Sequence, residues 1–226
     1  MKSSDLDTRQ KLIQVARKLF ARHNYESVSV RMICDEAGTN VSSISYHFGG
    51  KEELYRTCLL EHGKGLQVTA ARILQKADTQ EEVKFRIKMF IAEMYETAVQ
   101  DADVLKMILK EMDNNLRIAE DIFSDVYMKL GENFQTFIID AQQKGFIRPE
   151  IDPLFLDRLI HSQLITNINF HEMSCRYNKG DIMDPACRDK TVDQFMKLFL
   201  AEFWPKPLIL FFHLYSIVFC QNDNTH

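Results

Sequence analysis

The stretch from Ser29 to Lys51, SVRMICDEAGTNVSSISYHFGGK, decides how the rest of the chain is interpreted. Its first part, residues 30–37, predicts a short amphipathic helix that Ser29 can cap. Gly38 can adopt the left-handed conformation that ends a helix and reverses the chain tightly. Residues 41–48 predict a second short helix, after a cap at Asn40 or Thr39. Two short helices joined by such a turn predict a helix-turn-helix, a shape that fits the DNA major groove.

The second helix has one buried side and one outward side. Ile44 and Phe48 lie four residues apart and are predicted to face the core. The outward side is rich in small hydroxyl groups, which allow close approach to a groove, and in side chains that can donate to phosphates. These outward positions are Val41, Ser42, Ser43, Ser45, Tyr46 and His47.

Composition and charge limit the classes of protein. The chain has 226 residues, of which 46% are hydrophobic and 27% are charged, as expected of a folded protein with a sizeable core. The net charge is -4, but residues 1–60 carry nine Lys or Arg against seven acids, a net of +2. Only the amino-terminal quarter is therefore electrostatically suited to a polyanion.

The reactive residue types show no recognisable pattern of catalytic or metal chemistry. The five cysteines have neither zinc-site nor small-disulfide spacings. Each is expected to be a small buried hydrophobe, and an exposed redox thiol of low pKa is the minor alternative. The seven histidines do not fall at metal-ligand spacings, and no common enzyme motif is present. No signal peptide precedes the first helix, so a reducing cytoplasm is expected, with no cofactor.

Apolar periodicity predicts helices along the remaining chain. A long helix from Lys51 to Gln75 includes Gly63 and Gly65, which could mark a hinge or only a local bend. The predicted helices cover residues 8–23, 30–37, 41–48, 51–75, 80–100, 104–114, 115–144, 153–177 and 192–203.

Residues 8–60 resemble the DNA-binding domain of TetR-family transcriptional regulators. The resemblance is carried by RMICDEAG from Arg31, SISYHFGGKEELY from Ser43 to Tyr55, and the Leu19-Phe20 step. It implies that the positions meeting DNA are Ser29, Arg31, Val41, Ser42, Ser43, Ser45, Tyr46, His47 and Lys51. Most members of the family carry an aromatic residue where this chain has Ser45, so their base preference does not transfer.

The resemblance further implies an all-α architecture. A three-helix DNA-binding domain, residues 1–52, would be joined by a long helix to a helical effector-binding and dimerisation domain, residues 53–226. Two late helices would form a homodimeric four-helix interface. Candidate effector-lining residues are Met89, Phe90, Met94, Tyr95, Met107, Phe123, Tyr127, Phe134, Phe137, Gln163, Asn167 and His171. Met and aromatic residues at helical spacing are more often plain core than a ligand site, and the best polar hint is the row Gln163, Asn167 and His171.

The expected function is a homodimeric repressor that a small, mostly apolar effector releases from a palindromic DNA operator. A helical small-molecule-binding protein that no longer reads DNA is the alternative, and a small helical enzyme is a third, weaker one. The apolar segment 208–220 is shorter than the roughly 20 residues that span a bilayer. It is expected to pack on the dimer bundle, and membrane association is the minor alternative.

Overall fold

A computed structural model describes residues 3–177 and 180–202, and the regular structure within them is helical, with no strand. The fold class predicted from the sequence is therefore confirmed. The helices are α1 (Ser3–Arg22), α2 (Val30–Ala37), α3 (Ser42–Phe48), α4 (Lys51–Ile73), α5 (Gln80–Gln100), α6 (Ala102–Asp113), α7 (Glu120–Ile122), a π-helical turn (Phe123–Tyr127), α8 (Met128–Gln143), α9 (Pro153–Asn169), α10 (His171–Arg176) and α11 (Pro185–Glu202).

The amino-terminal helices pack around one apolar cluster, called here the head core. The stripe predicted for α1 is buried, with Leu12 and Ala16 at 0% exposure. Ile33 and Ile44, from α2 and α3, are also fully buried, as their helical spacing predicts. The head core continues into the first half of α4 through Leu59.

Helix α6 closes the head core from the side of the carboxyl-terminal helices. Val104 and Met107 are fully buried in this cluster. Lys110 Nζ donates to the backbone oxygens of Phe20, Ala21 and His23 at 3.1, 2.9 and 3.0 Å. These oxygens lie at the carboxyl end of α1, where helix carbonyls lack partners, so Lys110 caps α1. Burial lowers the pKa of Lys110.

A second apolar cluster, called here the body core, joins α4, α5, α8, α9 and α11. The rings of Phe90 and Phe134 stack at its centre, with centroids 5.0 Å apart. Tyr127 packs against both cores. Residues 3–177 and 180–202 include no helix that is both long and apolar enough to cross a membrane. The tail 204–220, Phe203 and the roles expected of them lie outside the described residues.

The predicted helix over residues 115–144 is wrong at its start. Asn115 and Leu116 both have a φ of 56°, so the chain turns there instead of continuing. The turn is held by the buried Glu111: its backbone oxygen accepts from Leu116 N at 2.7 Å, and its carboxylate accepts from Ile118 N at 3.2 Å. Tertiary hydrogen bonds of a buried acid thus override the helical periodicity.

The predicted helix over residues 153–177 is two helices, separated at Phe170. Its buried stripe ends at Ile168, and α10 has no buried residue. Without packing beyond Ile168, nothing holds the second half on the same axis, because helices in proteins depend mainly on a packed face.

The last helix starts at Pro185, seven residues before the predicted start at Val192. The Asp184 carboxylate accepts from Cys187 N at 3.2 Å, an N-cap before a proline at the first helical position. Arg188 reinforces this start by reaching the Glu96 carboxylate at 2.7 Å.

Candidate nucleic-acid interface

The first helix of the helix-turn-helix has the ends that its sequence predicts. Ser29 Oγ accepts a hydrogen bond from Met32 N at 3.1 Å and caps α2. Gly38 closes α2 with a φ of 63°, a left-handed conformation that favours glycine. Arg31 lies exposed in the first turn, and its 3.7 Å contact with Asp35 is a surface ion pair of small energy. Its guanidinium is therefore free to reach a phosphate.

The second helix, α3, presents a hydroxyl-rich face to solvent. Asn40 Oδ1 accepts from Ser42 N at 3.2 Å, so Asn40 caps the turn that leads into α3. Ile44 anchors α3 in the head core at 0% exposure. The opposite side leaves Val41 48% exposed and Tyr46 75% exposed. An exposed aromatic beside short hydroxyls is the kind of surface that can enter a groove.

Tyr46 and His47 form a pair at the end of this face. Their rings meet edge to face with centroids 4.8 Å apart. Phe48 follows and is only half-buried, less than predicted, with the Arg9 guanidinium 5.3 Å from its ring centroid. Half-buried Phe48 still packs against the head core and orients the end of α3.

Lys51 differs from the other predicted contacts because its ammonium faces the protein. Lys51 Nζ donates to the backbone oxygens of Tyr25 and Val28, both at 2.9 Å, and lies 4.0 Å from the ring centroid of Tyr25. In this conformation Lys51 holds the loop between α1 and α2 against the start of α4.

The structure leaves six of the nine predicted DNA contacts exposed on the head. The exposed positions are Ser29, Arg31, Val41, Ser42, Ser45 and Tyr46. Ser43 and His47 are half-buried beside them, and Lys51 is the position turned inward.

Buried aromatic rings connect this surface to α6. Tyr55 packs edge to face against Phe20 and Tyr25, at centroid distances of 4.9 and 5.2 Å. Tyr55 Oη donates to the Glu111 carboxylate at 2.9 Å. Burial, reinforced by Glu111, raises the pKa of Tyr55 well above its usual range, so the phenol stays protonated and keeps donating.

The twelve candidate effector residues do not form one site. Phe90, Met94, Tyr95, Phe134 and Phe137 are buried in the body core. Met107 and Phe123 are buried in the head core instead, Tyr127 lies between the two cores, and Met89 is 41% exposed.

The predicted polar row is also separated. Asn167 Nδ2 reaches inward and donates to Tyr95 Oη at 2.8 Å. Gln163 is exposed, while His171 lies on α10, beyond the break at Phe170. The row was predicted from one continuous helix, and the break removes its geometric basis.

A hollow of about 340 Å³ lies where the head meets the body, and none of the twelve candidates lines it. Most of the residues that line it are polar or charged, and none is a methionine or a Phe, Tyr or Trp, so sequence reasoning that searched for Met and aromatic residues could not find it. The residues lining it are Arg17, Glu61, His62, Gly65, Leu66, Thr69, Thr97 and Asp101.

The expectation that every cysteine is buried is confirmed at two positions and wrong at one. Cys34 and Cys58 are fully buried, and burial raises the pKa of the Cys58 thiol to about 12, so it stays protonated. Cys175, on α10, is exposed, and Cys187, in the first turn of α11, is half-buried. Cys220 lies outside the described residues.

The helix-turn-helix with an exposed hydroxyl-rich second helix, backed by a helical body, defines the class of DNA-binding regulators. Comparisons with known proteins agree. Residues 12–58 match the model of bacterial regulatory proteins of the tetR family. The regulator UidR of Escherichia coli K12 is 24% identical over 160 residues, which cover 71% of this chain and 79% of UidR.

Two further proteins are similar over a shorter stretch or in fold. The transcriptional repressor AcnR of Corynebacterium glutamicum is 39% identical over 49 residues, 22% of this chain and 26% of AcnR. The ketosteroid transcriptional regulator KstR2 of Mycobacterium tuberculosis has the same fold, with a TM-score of 0.69 at 18% identity over 88% of this chain and 95% of KstR2.

Residues 12–58 therefore match the DNA-binding domain of the tetR family, and the longer similarities support a TetR-family transcriptional regulator. The relatives and structural neighbours that the chain matches are transcriptional regulators, which supports a DNA-binding regulator.

Proposed function

We propose that this regulator is a homodimeric repressor in the cytoplasm that binds a palindromic operator through α2 and α3 and is released by a small, mostly apolar effector. The exposed face of α3, with Ile44 anchored behind it and Tyr46 in front, is the observation that carries the proposal. Phosphate contacts from Ser29, Arg31, Tyr46 and His47 would set the register, and the hydroxyls of Ser42, Ser43 and Ser45 would approach base edges.

Two features support dimerisation and repression. Between residues 154 and 198, a group of large apolar side chains is exposed. Two of the helices that carry these side chains are the late helices expected to form a four-helix interface between two copies. These side chains are Leu154, Phe155, Phe170, Met173, Tyr177 and Leu198. Two copies would engage two half-sites together, which raises the affinity of a small reading helix. Repression is supported by the similarity of a 49-residue stretch to AcnR, a repressor.

We keep the predicted domain boundary between residues 52 and 53, because the two parts of the chain are proposed to have different roles. The head would read DNA, and the body would bind the effector and the second copy. The head core crosses this division through Leu59 and α6, so the two parts are coupled by packing. An effector that binds one arrangement of the body more tightly would thereby shift the arrangement of the heads.

The body core is the favoured effector site. The Tyr95–Asn167 hydrogen bond is a polar pair inside an otherwise apolar cluster, and such a pair can orient a ligand. KstR2, which shares the fold, is named as a ketosteroid regulator, so steroid-like and other apolar molecules are the first effectors to test.

The experiment that tests DNA reading is selection of bound fragments from genomic DNA, followed by affinity measurement on a selected fragment. We expect the Tyr46→Ala, His47→Ala double variant to lose at least about tenfold in affinity, or ~1.4 kcal/mol. Phe85→Ala, which removes an aromatic ring that is 64% exposed on α5, is the matched control and should bind normally.

A salt titration separates a DNA reader from a protein that only binds small molecules. The affinity of a reader falls linearly in log salt, and Arg31→Ala should reduce the slope by about 1. Lys51, turned inward, and Ser45, which lacks the family's aromatic, are the observations that favour the alternative. A full-length chain that selects no fragments and shows no salt-dependent binding would establish that alternative. Adding steroid-like molecules to the bound fragment then tests release.

A further inference from the structure

Three metal-ligating side chains meet where α10 approaches the segment before α11. His171 and Cys175 lie four residues apart on α10 and therefore share one face. Asp181 approaches this face from the following segment. Their ligand atoms all lie within 4.8 Å of one another. His171 Nδ1 is 3.0 Å from Asp181 Oδ1 and 3.6 Å from Cys175 Sγ.

These distances match a tetrahedral transition-metal site. Zinc binds sulfur at about 2.3 Å and nitrogen or oxygen at about 2.0–2.2 Å, so its ligand atoms lie roughly 3–4 Å from one another. The donor set of one thiolate, one imidazole and one carboxylate suits zinc, whereas calcium and magnesium prefer oxygen alone.

The surrounding backbone orients the ligands. Met183 N donates to Asp181 Oδ1 at 2.8 Å, an outer contact that fixes the carboxylate. Gly180 has a φ of 105°, and a Cβ on it would lie 3.2 Å from Cys187 Sγ. The thiol of Cys187, from the first turn of α11, thus lies beside the backbone of Gly180, the neighbour of Asp181 in the chain, and outside the group of three whose ligand atoms lie within 4.8 Å of one another.

We propose that His171, Cys175 and Asp181 form a zinc site that Cys187 completes. The ion ties α10 to the start of α11. The sequence pattern is H-x3-C-x5-D-x5-C, in which only the first pair has a recognisable helical spacing. The His171 side chain is 23% exposed and that of Asp181 is 45% exposed, so an ion can enter from solvent.

The test uses the full-length chain, reduced and stripped of metal with a chelator. Cobalt and then zinc are titrated in competition with a chromophoric chelator. We expect one ion per chain, a tetrahedral cobalt spectrum with a thiolate-to-cobalt charge-transfer band, and displacement of cobalt by zinc. Cys187→Ser should reduce the charge-transfer band, because one of two thiolates is lost.

Single substitutions check each ligand. Loss of an outer contact to a metal ligand costs about 10–100-fold in affinity, so His171→Gln and Cys175→Ser, which remove direct ligands, should each cost at least about tenfold. His23→Gln is the matched control, because His23 is an exposed histidine of the head, and it should bind zinc as the unaltered chain does. Circular dichroism in the presence of the chelator verifies that each variant folds without metal. If one of the variants does not fold, Asp181→Asn is measured in its place.

Several results would overturn the site. The first is that no ion binds at a ratio of one per chain. The second is an octahedral cobalt spectrum without a thiolate band. The third is that the ligand variants and His23→Gln bind zinc with equal affinity. A charge-transfer band unchanged in Cys187→Ser would exclude Cys187 as a ligand. Zinc should also raise the thermal midpoint of the unaltered chain, and not of Cys175→Ser. None of these measurements involves DNA, so they are independent of the proposed operator binding.

Discussion

Gly63 and Gly65 lie two residues apart in α4 and have different surroundings. A Cβ on Gly63 would lie 2.6 Å from Val126 Cγ1 and 3.2 Å from Tyr127 Cζ, in the π-helical turn. A Cβ on Gly65 would meet nothing within 4 Å. Helix α4 continues through both positions. Gly63 therefore permits close packing of α4 on the π-helical turn. This packing role differs from both roles considered from the sequence, a hinge and a local bend.

Alanine substitutions at these two glycines should have opposite effects on stability. Gly63→Ala should lower the free energy of unfolding by about 1–3 kcal/mol, because the methyl group overpacks a filled contact. Gly65→Ala should raise it by up to about 1 kcal/mol, because alanine favours the helix and has room. Urea-unfolding midpoints measure both effects. Similar midpoints for the two variants would contradict the packing role of Gly63.

At the scale of elements, a charged cluster joins α1 and α4 to the junction of α5 and α6. Asp101 Oδ2 lies 3.1 Å from His62 Nδ1, and Asp101 Oδ1 lies 3.4 Å from Arg17 Nη1. His62 is buried, at 8% exposure, and the ring of Tyr127 lies 6.3 Å away. The hydrogen bond with His62, followed by the charges of His62 and Arg17, lowers the pKa of Asp101.

This cluster should stabilise the protein in a pH-dependent way. A carboxyl group whose pKa is lowered by folding stabilises the folded state above its ordinary pKa of about 3.9. The contribution is lost as the pH falls through the lower pKa of the folded state. Asp101→Asn should therefore cost about 1 kcal/mol near pH 7, a value reduced by the partial exposure of the carboxylate.

The measurement is the difference in unfolding free energy between the unaltered chain and Asp101→Asn at several pH values. The difference should shrink below about pH 4, where the Asp101 carboxylate becomes protonated in the folded chain. Glu36→Gln, at an exposed carboxylate of α2, is the control and should show little difference at any pH. A difference that grows below about pH 4 would be inconsistent with the lowered pKa of Asp101.

At the scale of the whole molecule, the two apolar cores are linked through α4, α6 and the π-helical turn. Arg56, on α4, donates to Ile118 O at 2.6 Å and to the Asp121 carboxylate at 2.9 Å. Tyr127 Oη donates to Leu59 O at 2.9 Å. A change in the body therefore has direct packing and hydrogen-bonded routes to the helices that position α3.

The proposed homodimer gives a prediction at this scale. Leu198 on α11 is 69% exposed, and Met128 on α8 is 61% exposed. If α9 and α11 form the interface, Leu198→Glu buries an unpaired charge there and should weaken the dimer by at least about 2 kcal/mol. Met128→Glu places the same charge on α8, outside that interface, and should leave the dimer unchanged. Light scattering over a dilution series measures the dimer fraction. Equal dimerisation of the two variants would move the interface away from α11.

Loss of the dimer should also weaken DNA binding. A monomer reaches only one half-site, so Leu198→Glu should bind a selected fragment more weakly while its α3 surface is unchanged. Normal binding of the same fragment by Met128→Glu would confirm that an added surface charge alone is not responsible.

Local chemistry explains why the head could be predicted so closely. Ser29, Gly38 and Ile44 have the cap, the left-handed turn and the buried anchor expected of them, because caps and turns depend on neighbouring residues. The body was less predictable. The turn at Asn115 depends on Glu111, and the break at Phe170 depends on where packing ends, and neither cause lies within the local pattern.

The sequence by itself determined the helix-turn-helix, the all-α fold and the exposure of Ser42, Ser45 and Tyr46 on α3, because each depends on short-range periodicity. Only the tertiary structure decided that Lys51 faces the backbone oxygens of Tyr25 and Val28, that Gly63 lies against Val126, and that His171, Cys175 and Asp181 meet. Contacts between residues far apart in the chain, or across a break in a helix, depend on how helices pack, and periodicity within one helix does not contain that information.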